Sequence, residues 1–153
     1  MRGLHTSLAH PGARGHFARM SEPVLAPVRE VFRAIANTVV PEAAQLDAGA
    51  WKEAERLIEN ALEVRPPSVR RQIRMFIRII EWIPLARFGH RFTALDAERR
   101  TRVLLSLQSS PLLLLRRGLW GLRTLAFIGY YARPAARAAI GYRADARGWE
   151  ARR

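Results

Sequence analysis

The chain has no cysteine. Disulfides, a thiol nucleophile and thiolate metal sites are thereby excluded, and the redox compartment stays open. Lysine is almost missing as well: of 26 basic residues, only Lys52 is not arginine. Long apolar runs are also lacking. Arg102, Arg116, Arg117 and Arg123 cut the leucine-rich region, whereas a membrane-spanning helix needs about 20 predominantly apolar residues. The stretch MRGLHTSLAHPGARGHFARM contains no apolar segment of the kind a secretory signal requires. Arg70-Arg71 lies deep inside the chain, which rules it out as a twin-arginine export signal. These absences predict a cytoplasmic protein, or one that reaches a membrane or leaves the cell only with a partner.

Catalytic machinery is equally scarce. Past the N-terminal tail there is one histidine, His90, beside the breaker Gly89, and its default role is that of a loop or capping residue. The C-terminal 90 residues hold five scattered carboxylates. No phosphate-cradling glycine loop, H-E-x-x-H or G-x-G-x-x-G occurs. No convergent set of acid, base and nucleophile emerges, so no catalytic, cofactor-binding or metal-binding residue is assigned. His5, His10 and His16 match no ligand spacing and read as a solvated tail.

What is present is arginine and apolar helix. The 153 residues carry a formal charge of +13, unevenly spread. Residues 1–63 have seven basic and eight acidic side chains, net −1, whereas residues 64–153 have nineteen against five, net +14. An acidic partner follows from that asymmetry: nucleic acid, an anionic membrane or an acidic protein surface. Arginine suits protein carboxylates as well as phosphates, so charge alone does not choose among them.

Residues 1–20 are rich in Gly, His, Arg and Pro without helical period and read as a disordered extension, with Met20 resembling a natural start. Residues 21–153 read as a single all-α domain, a compact bundle of five or six helices. Val24, Val28, Val31, Phe32 and Ile35 form one stripe that Pro41 ends. Residues 41–50 read as a loop in which Asp47 caps a second helix, residues 48–63. Trp51, Ala54, Leu57, Ile58 and Leu62 point inward there, with Glu53, Glu55, Glu59 and Glu63 outward.

A third helix runs from Pro67 to about residue 83. Its polar residues Arg70, Arg71, Arg74, Arg78 and Glu81 share a sector of about 100°. The remaining circumference is apolar and demands cover on two or three sides, from the rest of the bundle or from another protein. PLARFGHRFTALD reads as a loop, after which Thr93 or Asp96 caps a fourth helix with Val103, Leu104 and Leu107 inward. The fifth spans residues 111–131; its glycines 118, 121 and 129 suit close approach of another backbone. A sixth, residues 134–140, ends at Gly141 with an expected left-handed cap.

Three segments taken together carry a resemblance: ANTVVPE, RFTALDAERRTRVLLSL and RRGLWGLRTLAFIGYYARPAARAAIGY. The order and spacing, above all Gly129-Tyr130-Tyr131…Pro134…Ile140-Gly141-Tyr142, are similar to the gluconate 2-dehydrogenase subunit 3 family. Its members are small partners of membrane-associated flavin dehydrogenases of the glucose–methanol–choline type. The resemblance covers residues 28–142 and implies a non-catalytic, chaperone-like accessory subunit without its own cofactor or small-molecule substrate. FAD is then expected in the flavoprotein large subunit, with which this chain would form a hetero-oligomer.

Trp120, Arg123, Phe127, Tyr130, Tyr131, Pro134, Gly141 and Tyr142 form the candidate partner interface, since aromatics and arginine are enriched at binding hot spots. Closure of the chain's own core is the competing role for the tyrosines. The alternative function is a basic helical module, contacting nucleic acid or an anionic membrane through the Arg70–Arg78 face.

Overall fold

The computed structural model describes residues 23–141, which form an all-α bundle with no strand among them. Seven α-helical segments follow one another: α1 (Arg29–Val39), α2 (Ala48–Glu63), α3 (Pro67–Trp82), α4 (Leu85–Phe88), α5 (Ala97–Gln108), α6 (Leu113–Tyr131) and α7 (Pro134–Ala139). Six of them match the expected helices; α4 is a single additional turn.

The bundle closes around α1 and the inner face of α6. Phe32 and Ile35, one turn apart on α1, are fully buried, as are Ile77 and Ile80 on α3 and Leu119 and Leu122 on α6. Helical periodicity puts each pair on one stripe. Trp51, Ala54, Ile58 and Leu62 bury the expected side of α2, and Val103, Leu104 and Leu107 that of α5.

Helix boundaries follow local chemistry. Val40, ahead of Pro41, has φ −129° and ψ 89°, outside the helical region, and ends α1. The Asp47 carboxylate accepts from Ala50 N at 2.7 Å, and the Asp96 carboxylate from Arg99 N at 2.7 Å. Asp96, not Thr93, is therefore the cap of α5. Gly89 and Gly141 close α4 and α7 with φ of +68° and +65°.

Several expectations are corrected. Residues 41–50 are not wholly irregular, since Pro41–Gln45 forms a 3-10 turn. Nor is residues 84–96 a plain loop: besides α4 it contains a 3-10 turn, Phe92–Ala94, that buries Phe92 completely. Glu81 belongs to the interior rather than to the arginine stripe. Its carboxylate accepts from Thr93 Oγ1 at 2.7 Å and Thr93 N at 3.2 Å, pinning that turn onto α3.

Two of the supposedly outward glutamates also face inward. Glu55, its side chain 13% exposed, pairs with Arg29 at 3.0 Å and Arg33 at 2.7 Å, joining α2 to α1. Glu59 accepts from Val24 N at 2.9 Å and Leu25 N at 2.7 Å, holding the segment before α1 against α2. Glu59 thereby satisfies two buried backbone donors that would otherwise lack water, whereas the arginines paired with Glu55 keep their access to solvent.

Candidate functional site

α6 presents two chemically distinct faces. Its inner face is positioned by glycines. A Cβ on Gly118 would lie 2.7 Å from the Phe76 ring of α3, and one on Gly129 would lie 2.7 Å from Ile58 Cδ1 of α2. These glycines thus admit side chains of the chain's own neighbouring helices, rather than another backbone. Gly121 differs: a Cβ there meets nothing within 4 Å.

The outer face carries a repeat of alternating four- and three-residue steps. Leu113, Arg117, Trp120, Thr124, Phe127 and Tyr131 fall on one line, with Arg116 beside it. This is the spacing by which one helix offers a seam to another. Trp120 is 69% exposed and Leu114, on the flank, 79%. Phe127 and Tyr131 are exposed as well, their ring centroids 6.1 Å apart, and Tyr131 meets Tyr130 edge-on at 4.9 Å. Arg116 and Arg117 are exposed and make no ion pair with any described residue. From Arg99 to Ala144 the sequence contains no carboxylate side chain.

The eight residues assigned to the interface divide accordingly. Trp120, Phe127, Tyr131 and Pro134 lie at the surface. Arg123 is half-buried, its guanidinium donating to Gln108 Oε1 at 3.1 Å across the α5–α6 contact. Tyr130 turns inward and packs on the core, so that core closure describes Tyr130 and surface exposure Tyr131. Gly141 serves as the end of α7, and Tyr142 lies outside the described residues.

Arg133 is the residue that sequence reasoning missed. It is buried, stacks over the Tyr130 ring at 4.8 Å, and donates from Nε to Tyr130 O at 3.1 Å. A cation on the final carbonyls of a helix is favourably placed, and here it locks the corner between α6 and α7. Its position directly before Pro134, two residues past the end of α6, was the available signal.

α3 supplies a second surface. Met75, Ile79 and Trp82 repeat at i, i+4 and i+7 and are 57%, 38% and 50% exposed. The chain therefore leaves one apolar side of α3 uncovered, although α1, α6 and the turn Phe92–Ala94 pack against the rest. Arg91 stacks over Trp82 at 4.5 Å. Beside this stripe runs a groove lined by Pro67, Ser68, Arg71, Arg74, Met75 and Arg78. Arg70 is only half-exposed, and the basic face centres on Arg71 and Arg78.

Inside the bundle, the cavity between Phe32, Trp51, Ile58, Gly129 and Tyr130 measures about 10 Å³, the space of one water. No group of three His, Asp or Glu able to hold a metal occurs among the described residues. His90 is exposed in the loop after α4. Among the described residues no helix is long and apolar enough to cross a membrane. Compared with known proteins, the chain matches no family model, no curated protein and no solved structure.

Proposed function

We propose that this chain is a non-catalytic accessory, chaperone-like subunit that binds and supports a flavin-dependent oxidoreductase of the glucose–methanol–choline type. The observation that carries the binding role is the exposed line of Leu113, Trp120, Phe127 and Tyr131 on α6, with Met75, Ile79 and Trp82 on α3 as a second apolar stripe. Large apolar side chains set in rows on a small domain mark interaction surfaces, and tryptophan, tyrosine and arginine are the usual anchors. The flavoprotein nature of the partner rests on the family resemblance of residues 28–142. FAD and the reacting groups then belong to the partner, and this chain contributes stability, maturation or passage to a membrane.

Co-expression with a flavoprotein of that type tests this reading. The two chains are expected to copurify, and the flavoprotein to lose soluble, flavin-loaded yield when expressed alone. Independent purification, with full flavin loading in the absence of this chain, rejects the proposal.

The groove along Arg71, Arg74 and Arg78 favours a second reading, a basic helical module for nucleic acid or an anionic membrane surface. Backbone-phosphate binding of that kind loses affinity steeply with salt. Filter binding over a salt series separates the two readings.

A further inference from the structure

We propose that the outer face of α6 seats an acidic amphipathic helix. Its apolar heptad positions would lie along Leu113, Trp120 and Phe127, with its carboxylates against Arg116 and Arg117. The inference rests on the reading that this chain is a binding subunit, and it names the surface the partner brings.

Geometry sets the element. Residues spaced by alternating four- and three-residue steps stay in line only for a partner that runs nearly parallel or antiparallel to the helix axis. From Leu113 to Tyr131, 19 residues, the seam is about 27 Å long at 1.5 Å per residue, which matches about five turns of a second helix. Gly121 stands on the open side of α6 with nothing within 4 Å of its Cβ position, leaving room for such a helix to come close.

Charge sets the chemistry. Arg117 stands on the line and Arg116 beside it, and the sequence from Arg99 to Ala144 holds no carboxylate side chain. Among the described residues no carboxylate pairs with these guanidinium groups, so a fitting partner brings carboxylates of its own. A second copy pairing through its own α6 cannot supply them in either orientation, because the charged residues of that helix are all arginine. Hydrocarbon fits less well than protein: Arg117 and Thr124 stand on the line between the apolar residues, and sinking the line into lipid would bury a guanidinium and a hydroxyl with it.

The seam also has a direction. Its arginines lie in the first two turns of α6, where the helix dipole is positive as well, and its paired rings Phe127 and Tyr131 lie in the last two. Acidic residues of the partner therefore concentrate opposite the start of α6, and its largest apolar side chains opposite the end.

The test uses the full-length protein and two synthetic helical peptides of about three heptads, the length of α6. Both have leucine at a and d; one has glutamate at e and g, the other lysine. Phosphatidylglycerol vesicles and sedimentation of the protein alone complete the set. The acidic peptide is expected to bind about tenfold or more tightly than the basic one. Arg116→Glu with Arg117→Glu should invert that preference, and Trp120→Ala with Phe127→Ala should weaken acidic-peptide binding about tenfold.

Because the whole chain is basic, Arg71→Glu with Arg78→Glu on α3 serves as the equal-charge control and should leave the preference unchanged. The inference is overturned by equal binding of both peptides, or by a control as disruptive as the α6 reversal. Vesicle binding without peptide binding, or self-association through α6, overturns it too. Flavoprotein copurification that ignores every α6 variant removes this inference and leaves the accessory role standing. Acidic-helix binding without flavoprotein copurification does the reverse.

Discussion

Gly129 on α6 and Ile58 on α2 are so close that a β-carbon on the glycine would stand 2.7 Å from Ile58 Cδ1 and 3.2 Å from its Cγ1. Ile58 is almost fully buried, and the adjoining cavity of about 10 Å³ gives it little room to withdraw. Alanine is the better helix former by about 1 kcal/mol, but overpacking a tight core costs about 1–3 kcal/mol. Gly129→Ala is accordingly expected to lower stability, and adding Ile58→Val should recover part of the loss. Chemical denaturation of the single and double variants checks this, and simple additivity would refute the contact.

Gly121, eight residues earlier on the same helix, should respond with the opposite sign. Nothing stands within 4 Å of its Cβ position. Gly121→Ala then keeps only the propensity term and gains about 0.5–1 kcal/mol, measurable as a rise in melting temperature. Under the helix-seating proposal the added methyl stands on the partner's side, so binding should weaken while the free protein becomes more stable.

Glu59 ties down the segment before α1 by accepting from Val24 N and Leu25 N. Both residues are buried, and each amide deprived of its acceptor costs about 1–3 kcal/mol. Glu59→Ala is expected to destabilise the domain clearly more than Glu63→Ala, which removes an exposed side chain with no described hydrogen bond. Equal melting temperatures for the two variants would contradict the tether.

Thr93→Val removes the hydroxyl that donates to Glu81 Oε1 at 2.7 Å while keeping the shape of the side chain. The buried carboxylate retains Thr93 N and loses its shorter donor. A loss of about 1–3 kcal/mol is expected, with faster proteolysis near Phe92 as the local readout. Valine at no cost would mean that Glu81 is hydrated in solution.

Trp120→Ala and Leu122→Ala separate surface from core. Leu122 is almost wholly buried, and its truncation should cost about 2–5 kcal/mol. Trp120 is largely exposed, and its loss should change stability by no more than about 0.5 kcal/mol. Copurification of the partner should nevertheless drop sharply in the Trp120 variant. A strongly destabilised Trp120→Ala protein would place that ring in the core instead.

Most helices could be read directly from the chain, because apolar spacing, Asp47, Asp96, Pro41 and Gly141 act through near neighbours. The short turns Pro41–Gln45, Leu85–Phe88 and Phe92–Ala94 escaped because they are too brief to show a period; where a helix face was misassigned, the deciding contact was remote in sequence. Glu55 and Glu59 look like an outer face until α1 and the segment before it arrive; Glu81 looks like part of the arginine stripe until Thr93 folds back onto it. Gly118 and Gly129 could be recognised as sites of close approach, but not what approaches them. Tyr130 and Tyr131 are identical in sequence terms and separated by about 100° on the helix, which sends one to the core and its neighbour toward solvent.

The amino-acid sequence alone determined an all-α domain, most of the caps and stops of its helices, and the imbalance between a nearly neutral N-terminal part and a strongly basic remainder, since each depends on composition or on residues a turn or two apart. Only the tertiary structure decided which apolar residues stay outside. Met75, Ile79, Trp82 and Trp120 are as greasy as the side chains beneath them. A helix buries only the face its neighbours meet, and that choice is made by packing between elements far apart along the chain.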